Sequence, residues 1–335
     1  MRTQPDGVAL DVQPIPANRQ SARMDRAVAE PLSRGPTGAL KRMRDGLGDR
    51  AIPYLLIAPA VIALAVTVGY PILYNVYISL FDWNILDSDA PEQLIGLGNY
   101  SAILADPGFL HSLGVTAGFT ILAVGIEFVL GLSLAMLVNE QIYGRRLIRT
   151  FLVAPVMATP IVVGLIFKVL WHAEFGVVNY FLSLVGLGPV HWLSDPSTAF
   201  IALLITEVWH NTAFVFLVLL GALQMIPAEP YEAAIVDGAS LVQRFRYVTL
   251  PLLRPAILVA LLFRLVFTIR LFDEVWALTR GGPQSATETI SILIYKAAFE
   301  QFRMGYAAAL SILLLGLTAV LALVLIRVLY RSEPT

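Results

Sequence analysis

Six stretches of this chain are apolar for long enough to cross a bilayer, which takes about 20 mainly apolar residues in a helix. They run over roughly 52–80, 112–138, 150–171, 198–223, 252–275 and 304–326. The first carries no charge from Ala51 to Phe81, and the sixth none from Met304 to Ile326. The pattern predicts an all-α polytopic membrane protein with six transmembrane helices. Pro53, Pro59 and Pro71 put bends or ends in the first span, because each removes a backbone donor. Between the fourth and fifth spans the pattern changes, and residues 232–255 form a polar, loop-like run.

That run reads as two short helices. Pro230 suits the start of a helix, where its missing N–H leaves no bond unmade. Tyr231–Asp237 then makes two turns, and Gly238 lets the backbone reverse where a Cβ would clash. Leu241–Val248 forms the second helix, with Leu241, Phe245 and Val248 on one face, and Pro251 stops it before the fifth span. From this pattern alone the run fits an interfacial amphipathic loop or a docking element for a soluble partner.

Composition agrees with the membrane reading. Of 335 residues, 57% are hydrophobic and only 14% charged, against about 25% charged in soluble domains. The absence of cysteine excludes disulfides, thiolate metal sites and cysteine nucleophiles. Residues 1–50 are rich in Pro, Gly, Arg and Asp and hold no apolar core of the kind a secretory signal needs. They read as a disordered tail with a basic end at Lys41, Arg42, Arg44 and Arg50. Basic residues set orientation through their excess in cytoplasmic loops. With the N-terminus inside, the tail, the loops at 139–149 and 224–254 and the C-terminus hold 17 of the 23 Lys and Arg. The outer side holds Arg280, Lys296 and Arg303, and the spans hold Lys168, Arg264 and Arg270. Both termini are therefore expected in the cytoplasm, with the 226–251 loop beside them.

Ionisable groups inside a span are costly, about 2.5–3.5 kcal/mol each on insertion scales, and face a cavity or a partner. In span four Glu207, His210, Asn211 and Phe214 share one side. In span five Arg264, Phe267, Thr268 and Leu271 follow i, i+3, i+4, i+7. Asn211, Thr268 and Arg264 can supply hydrogen bonds to a polyhydroxylated ligand, and Trp209, Phe214 and Phe267 flat faces for stacking. The same residues also fit a bland role: Glu207 and Arg264 as an intramembrane ion pair, Asn211 and Thr268 as bonds between helices. Glu127 and Lys168 read as structural or subunit contacts. His111, His172 and His191 show no metal spacing and read as loop or interface residues. No nucleophile–base pair is apparent, so the chain is not read as an enzyme. A Walker A loop requires a Gly-Lys pair, and none of Lys41, Lys168 and Lys296 follows a glycine.

The polar run resembles the EAA loop of binding-protein-dependent ABC importer permeases. Glu232, Ala233, Ala234, Asp237, Gly238, Ala239, Phe245, Leu250, Pro251 and Pro255 carry the resemblance. Further matches are Tyr70-Pro71, the segment Ile95-Gly96-Leu97-Gly98-Asn99-Tyr100, the turn Leu278-Thr279-Arg280-Gly281-Gly282-Pro283, and Phe299 with Gly305-Tyr306-Ala307-Ala308-Ala309. Together they resemble MalF-like permeases of the carbohydrate uptake type, over about residues 51–330. Arg280 departs from the pattern, standing where the family usually has glycine. Glu207-Val208-Trp209 and Arg270-Leu271-Phe272-Asp273 look most similar to actinobacterial trehalose-type permeases.

The resemblance implies a MetI-like permease fold. It divides the chain into the tail (1–50), a first transmembrane helix with its outer loop (51–111), and a permease core (112–330) holding the coupling loop at 226–251. It implies that Glu232 anchors the loop near an ATPase groove, that Gly238 makes its turn, and that spans four and five line a sugar cavity. The implied setting is the plasma membrane of a bacterium. The implied partners are a second, MalG-like permease, an ABC ATPase dimer, an extracytoplasmic sugar-binding (lipo)protein and membrane lipid, with no nucleic acid. ATP and Mg would sit on the ATPase, leaving no cofactor on this chain. The expected cargo is a di- or oligosaccharide such as trehalose. Glycerol-phosphate and polyol uptake remain alternatives within the family, and outside it an ion-gradient transporter with Glu127, Glu207 and Arg264 as relay. The outer acidic residues Asp82, Asp87, Asp89, Glu92 and Asp106 fit either a docking site for the binding protein or plain solvated loops.

Overall fold

A computed structural model describes residues 51–140 and 143–330. The expectations for the tail, including Lys41, Arg42, Arg44 and Arg50, and for Arg331 lie outside the described residues. The chain separates into two compact units, one ending at Pro71 and one running from Ile72 onward. The described part of the first unit is helical: α1 (Ala51–Leu64), a π turn (Ala65–Gly69) and the start of α2 (Tyr70–Ile78). Its apolar side chains are exposed at almost every position. Pro71 does not end the helix. The π turn directly before it, closed by Tyr70 N–H to the Ala65 carbonyl, widens the backbone where the ring would otherwise meet a carbonyl.

The second unit begins with a small outer-loop scaffold. Two-residue strands β1 (Phe81–Asp82) and β2 (Gln93–Leu94) pair antiparallel and lead into α3 (Gly98–Ala105). Asn99 Nδ2 donates to the carbonyls of Ser79 (2.9 Å) and Phe81 (2.8 Å). Gly305 meets the same place: a Cβ there would lie 2.0 Å from the Phe81 oxygen. Two separated segments that carry the family resemblance thus close on one strand. Asp106 caps α4 (Pro107–Asn139) through Gly108 N–H and accepts a 2.7 Å bond from the Tyr306 hydroxyl. Asp82, Asp87, Asp89 and Glu92 are exposed.

The bundle is built on α4, α8 (Pro196–Leu223), α11 (Leu250–Ile269) and α14 (Met304–Tyr330). Between α4 and α8 lie α5 (Arg145–Val153), a 3-10 turn (Ala154–Met157), α6 (Pro160–Leu170) and α7 (Val177–Leu184). Between α8 and α11 lie α9 (Glu229–Val236), α10 (Leu241–Arg244) and a π turn (Phe245–Thr249). Between α11 and α14 lie α12 (Asp273–Leu278), α13 (Ile290–Tyr295) and a third π turn (Lys296–Glu300). Small residues bring helices close, as is common where lipid leaves packing to drive association. A Cβ on Gly131 would lie 2.7 Å from Val215 of α8, and one on Gly164 2.5 Å from Ala277 of α12. The core around Leu132, Phe216, Leu219 and Leu253 joins α4, α8 and α11.

Among the described residues five helices are long and apolar enough to cross a membrane, or six if one bent pair is counted as a single span. The third span, expected over 150–171 as one helix, is α5 and α6 meeting at 101°. Pro160 is the cause: it biases Thr159 to an extended conformation (φ −74, ψ 142). The fifth span also differs from its expected 252–275. Pro251 does not stop the preceding helix, because the π turn before it absorbs the ring, and the run is continuous from Leu241 to Ile269. It then breaks, so Leu271 lies outside the helix whose stripe it was expected to continue, and Asp273 and Glu274 open α12 instead.

Candidate functional site: a polar cavity and an exposed loop

A cavity of about 650 Å³ opens where α8, α11, α12 and the break before α6 meet. Its helices are placed by local chemistry. Asp195 caps α8, accepting from the backbone of Ser197 (3.0 Å) and Thr198. The Ser197 hydroxyl first, then those two backbone N–H groups, hold the Asp195 carboxyl below its ordinary value. At the other end of the site Gly164 lets α12 approach α6, which brings Glu274 to the cavity wall.

One arginine organises the polar floor. Arg264 donates from Nε to Glu127 Oε2 (2.6 Å) and from Nη2 to Glu127 Oε1 (3.0 Å). Nη2 also reaches Glu207 Oε1 (2.6 Å) and Thr268 Oγ1 (2.9 Å), and Nη1 donates to Asn211 Oδ1 (3.0 Å). All three charged side chains are buried, and they tie α4, α8 and α11 together. Glu207 Oε2 has no hydrogen-bond partner among the described residues.

His210 forms a second clasp. Its Nε2 lies 3.1 Å from the Ala158 carbonyl and its Nδ1 2.9 Å from Glu274 Oε1. A carbonyl only accepts, so Nε2 carries a hydrogen. The Nδ1–Glu274 contact then requires one shared proton, on the imidazole or on the carboxyl. His210 therefore pins the break before α6 to α12. Rings of Phe214, Phe263 and Phe267 run along one side, with centroids 6.0 and 6.2 Å apart, and Phe214 and Phe267 line the cavity.

The structure brings together Glu207, His210, Asn211, Phe214, Arg264, Phe267 and Leu271 on this cavity. Two expected residues are elsewhere. Trp209 faces the opposite side of α8, against Phe167 (5.1 Å) and an apolar groove of about 430 Å³. Thr268 is buried behind Arg264. Both follow from the 100° step of a helix, which turns neighbours of a cavity residue away from it. Glu127 stands behind Arg264 as its two-point partner, and Lys168 is exposed on α6. Outside the cavity, His111 stands in α4 and meets the Ser285 carbonyl (3.0 Å), and His172, just past α6, stacks on Phe175. Among the described residues no group of three or more His, Cys, Asp or Glu is placed to hold a metal ion. Sequence reading missed Glu274 and Ala158. The signal for Glu274 was present, since two adjacent acids at 273–274 sit badly inside an apolar span.

The polar run ends its first helix in a Schellman arrangement. Ala239 N–H reaches the Ala234 carbonyl (2.9 Å), Gly238 N–H the Ile235 carbonyl (3.0 Å), and Gly238 has φ +73. Ser240 and Gln243 then form a reciprocal capping box on α10. Tyr231 Oη bonds Thr249 Oγ1 (3.0 Å), tying α9 to the π turn, and Phe245 packs toward the core at Leu250 and Leu253. Glu232, Ala233, Asp237 and Gly238 are exposed, while Ala234 and Ala239 are half-buried. Ile235, Val236, Leu241, Val242 and Tyr247 are exposed apolar side chains around the same turn. Pro251 sits in α11, beyond the turn.

Residues 127–332 match the family described as binding-protein-dependent transport system inner membrane component. The trehalose/maltose transport system permease protein MalF of Thermococcus litoralis is 37% identical over 283 residues, 84% of this chain and 94% of its own. The sulfoquinovosyl glycerol transport system permease protein SmoG of Agrobacterium fabrum is 37% identical over 287 residues, 86% and 93% of the two chains. The trehalose transport system permease protein SugA of Mycobacterium tuberculosis is 35% identical over 301 residues, 90% and 96%. Among solved structures, a bacterial ABC transporter involved in import of the acidic polysaccharide alginate matches in fold, with TM-score 0.74 at 23% identity over 88% of this chain and all of that one. These matches replace the ion-gradient alternative. The chain belongs to the binding-protein-dependent transport system inner membrane components: it is a multi-pass permease subunit of an ABC importer.

Proposed function

We propose that this permease imports a carbohydrate of di- or oligosaccharide size, trehalose among the candidates, by ATP-driven alternating access. The observation that carries the proposal is the cavity. Its volume falls in the range of small-molecule sites, about 300–1,000 Å³. It joins aromatic faces at Phe214 and Phe267 to hydrogen-bonding groups at Glu207, His210 and Asn211, the mixture that a sugar's apolar ring face and hydroxyls require. Trehalose, maltose and sulfoquinovosyl glycerol appear in the names of relatives at 35–37% identity, which supports a sugar without choosing one.

The turn at Gly238 is the coupling element in this reading. Its exposed apolar side chains and Glu232 would seat in a groove of a cytoplasmic ATPase dimer, which binds ATP and Mg. A MalG-like second permease would complete the pathway, and an extracytoplasmic binding protein would deliver cargo. The excess of Lys and Arg at the termini and at the 226–251 loop supports both ends lying in the cytoplasm. The test is uptake of labelled trehalose and maltose into proteoliposomes holding the permease pair, the ATPase and the binding protein. ATP- and binding-protein-dependent accumulation that survives an ionophore is expected. A complex that moves no carbohydrate would overturn the reading.

A further inference from the structure

The apolar groove on the far side of α8 has a basic head. It runs between α4, α5 and α8, with a volume of about 430 Å³. Ile126, Leu130 and Leu134 follow one side of α4 at i, i+4 and i+8, and the α8 wall extends from Leu204 to Phe216. At 1.5 Å per residue these walls are about 12 and about 18 Å long. One leaflet of a bilayer's hydrocarbon core is about 15 Å deep, so the groove matches the reach of one acyl chain. Its side-chain polar groups are the Thr212 hydroxyl, turned onto the Val208 carbonyl of its own helix (2.6 Å), and the Trp209 indole.

Three arginines stand at one end of this groove. Arg145, Arg149 and Leu152 share one side of α5 at i, i+4 and i+7, and Leu152 lines the groove. Arg149 Nη2 lies 3.5 Å from the Val138 carbonyl, at the end of α4 and one turn beyond Leu134. Arg145 and Arg146 are exposed, and their guanidiniums make no hydrogen bond or ion pair among the described residues. Residues 141–173 contain no Asp or Glu, so no acid close in the chain neutralises them. Leu147, Ile148 and Phe151 are exposed beside the arginines. A basic amphipathic helix of this kind at a membrane boundary attracts anionic lipid.

We propose that α5 and the groove form a binding site for one anionic phospholipid, with its phosphate between Arg145 and Arg149 and one acyl chain laid from Leu134 to Trp209. Each half of the site asks for a different half of that molecule. An apolar helix of another subunit would fill the groove and leave the guanidiniums without an anion. A free phosphate would satisfy the guanidiniums and leave the groove empty. The site lies across α8 from the polar cavity, so it stands whatever the cargo is.

The test uses the assembled transporter in detergent. It is given phosphatidylglycerol or phosphatidylcholine, each carrying a photoactivatable diazirine at the end of one acyl chain. After irradiation, lipid adducts on this chain are located and counted by peptide mass spectrometry. Adducts within residues 126–134 and 204–216 are expected at least about tenfold more often from phosphatidylglycerol, as two arginines near a charged headgroup imply. Arg145→Gln combined with Arg149→Gln is expected to bring the two lipids within about twofold of each other. Should that variant fail to assemble, Leu130→Trp fills the groove from an exposed position and is expected to cut phosphatidylglycerol adducts on 204–216 at least about fivefold by steric exclusion. Equal labelling by the two lipids overturns the proposal, as does a preference that the double arginine variant keeps or groove labelling that Leu130→Trp leaves in place. A groove that neither lipid reaches also overturns it, and would mark that face as covered by another subunit.

Discussion

Arg264 holds two buried carboxylates in a medium that solvates neither. Removing one partner of a buried ion pair costs about 3–5 kcal/mol, because the other charge is left unpaired. Arg264→Met is therefore expected to lower the thermal unfolding midpoint of the detergent-solubilised protein sharply. Adding Glu127→Gln and Glu207→Gln to that variant should recover much of the loss, and equal damage in single and triple variants would contradict the account. Gly305 makes a second local prediction. Its Cβ would overlap the Phe81 carbonyl at 2.0 Å, so Gly305→Ala should destabilise by about 1–3 kcal/mol, the usual cost of overpacking, as read in the same assay. Arg280 shows how a departure from a family pattern can be understood. Its φ of +53 lies in the left-handed region that favours glycine, and its guanidinium lies 5.3 Å from the Trp276 ring centroid. Charged residues in apolar runs were visible in the sequence at Glu127, Glu207 and Arg264. That Glu127 and Glu207 share one arginine was not, because pairing across three helices depends on their relative rotation, which no single helix encodes.

Helix ends were harder to read than helix existence, and proline is the reason. Pro160 breaks its span because Thr159 goes extended before it. Pro71 and Pro251 do not break theirs, because a π turn ending two residues earlier makes room. Nothing in the residues themselves separates these outcomes, since the wide turn is a backbone adjustment rather than a composition. The reversal at Gly238 was legible, because a glycine between two short helical runs is a chemical signal, whereas the capping box of Ser240 and Gln243 emerged only with the structure. In the proposed coupling role the geometry of this element matters more than its surface. Gly238→Pro fixes φ near −65° where the turn needs +73. It should abolish ATP-driven uptake while the protein still inserts into the membrane at normal levels. Glu232→Lys should do the same through charge. Normal uptake in either variant would remove the coupling assignment.

At the scale of the molecule, the distribution of Lys and Arg predicts which side of the membrane each loop faces, and the lack of cysteine makes that testable. Asp237→Cys should react with a membrane-impermeant thiol reagent only in inside-out vesicles, and Asp89→Cys only in intact cells; the reverse pattern would invert the topology. The six apolar stretches read from sequence foreshadowed the bundle, but its cavity was hidden. It forms where the third and fifth stretches stop being continuous helices, at Thr159 and after Ile269. The absence of a stop at Pro251 has a mechanical consequence. From Leu241 beside the Gly238 turn to Arg264 on the cavity floor, the backbone is one rod of 24 residues, about 35 Å long at 1.5 Å per residue. A tilt of about 5° pivoting at the Leu241 end swings the far end by about 3 Å, several times the tolerance of a hydrogen bond. A tilt of that size would thus act as a lever, and the grip of Arg264 on Glu127 and Glu207 would have to break or travel with it.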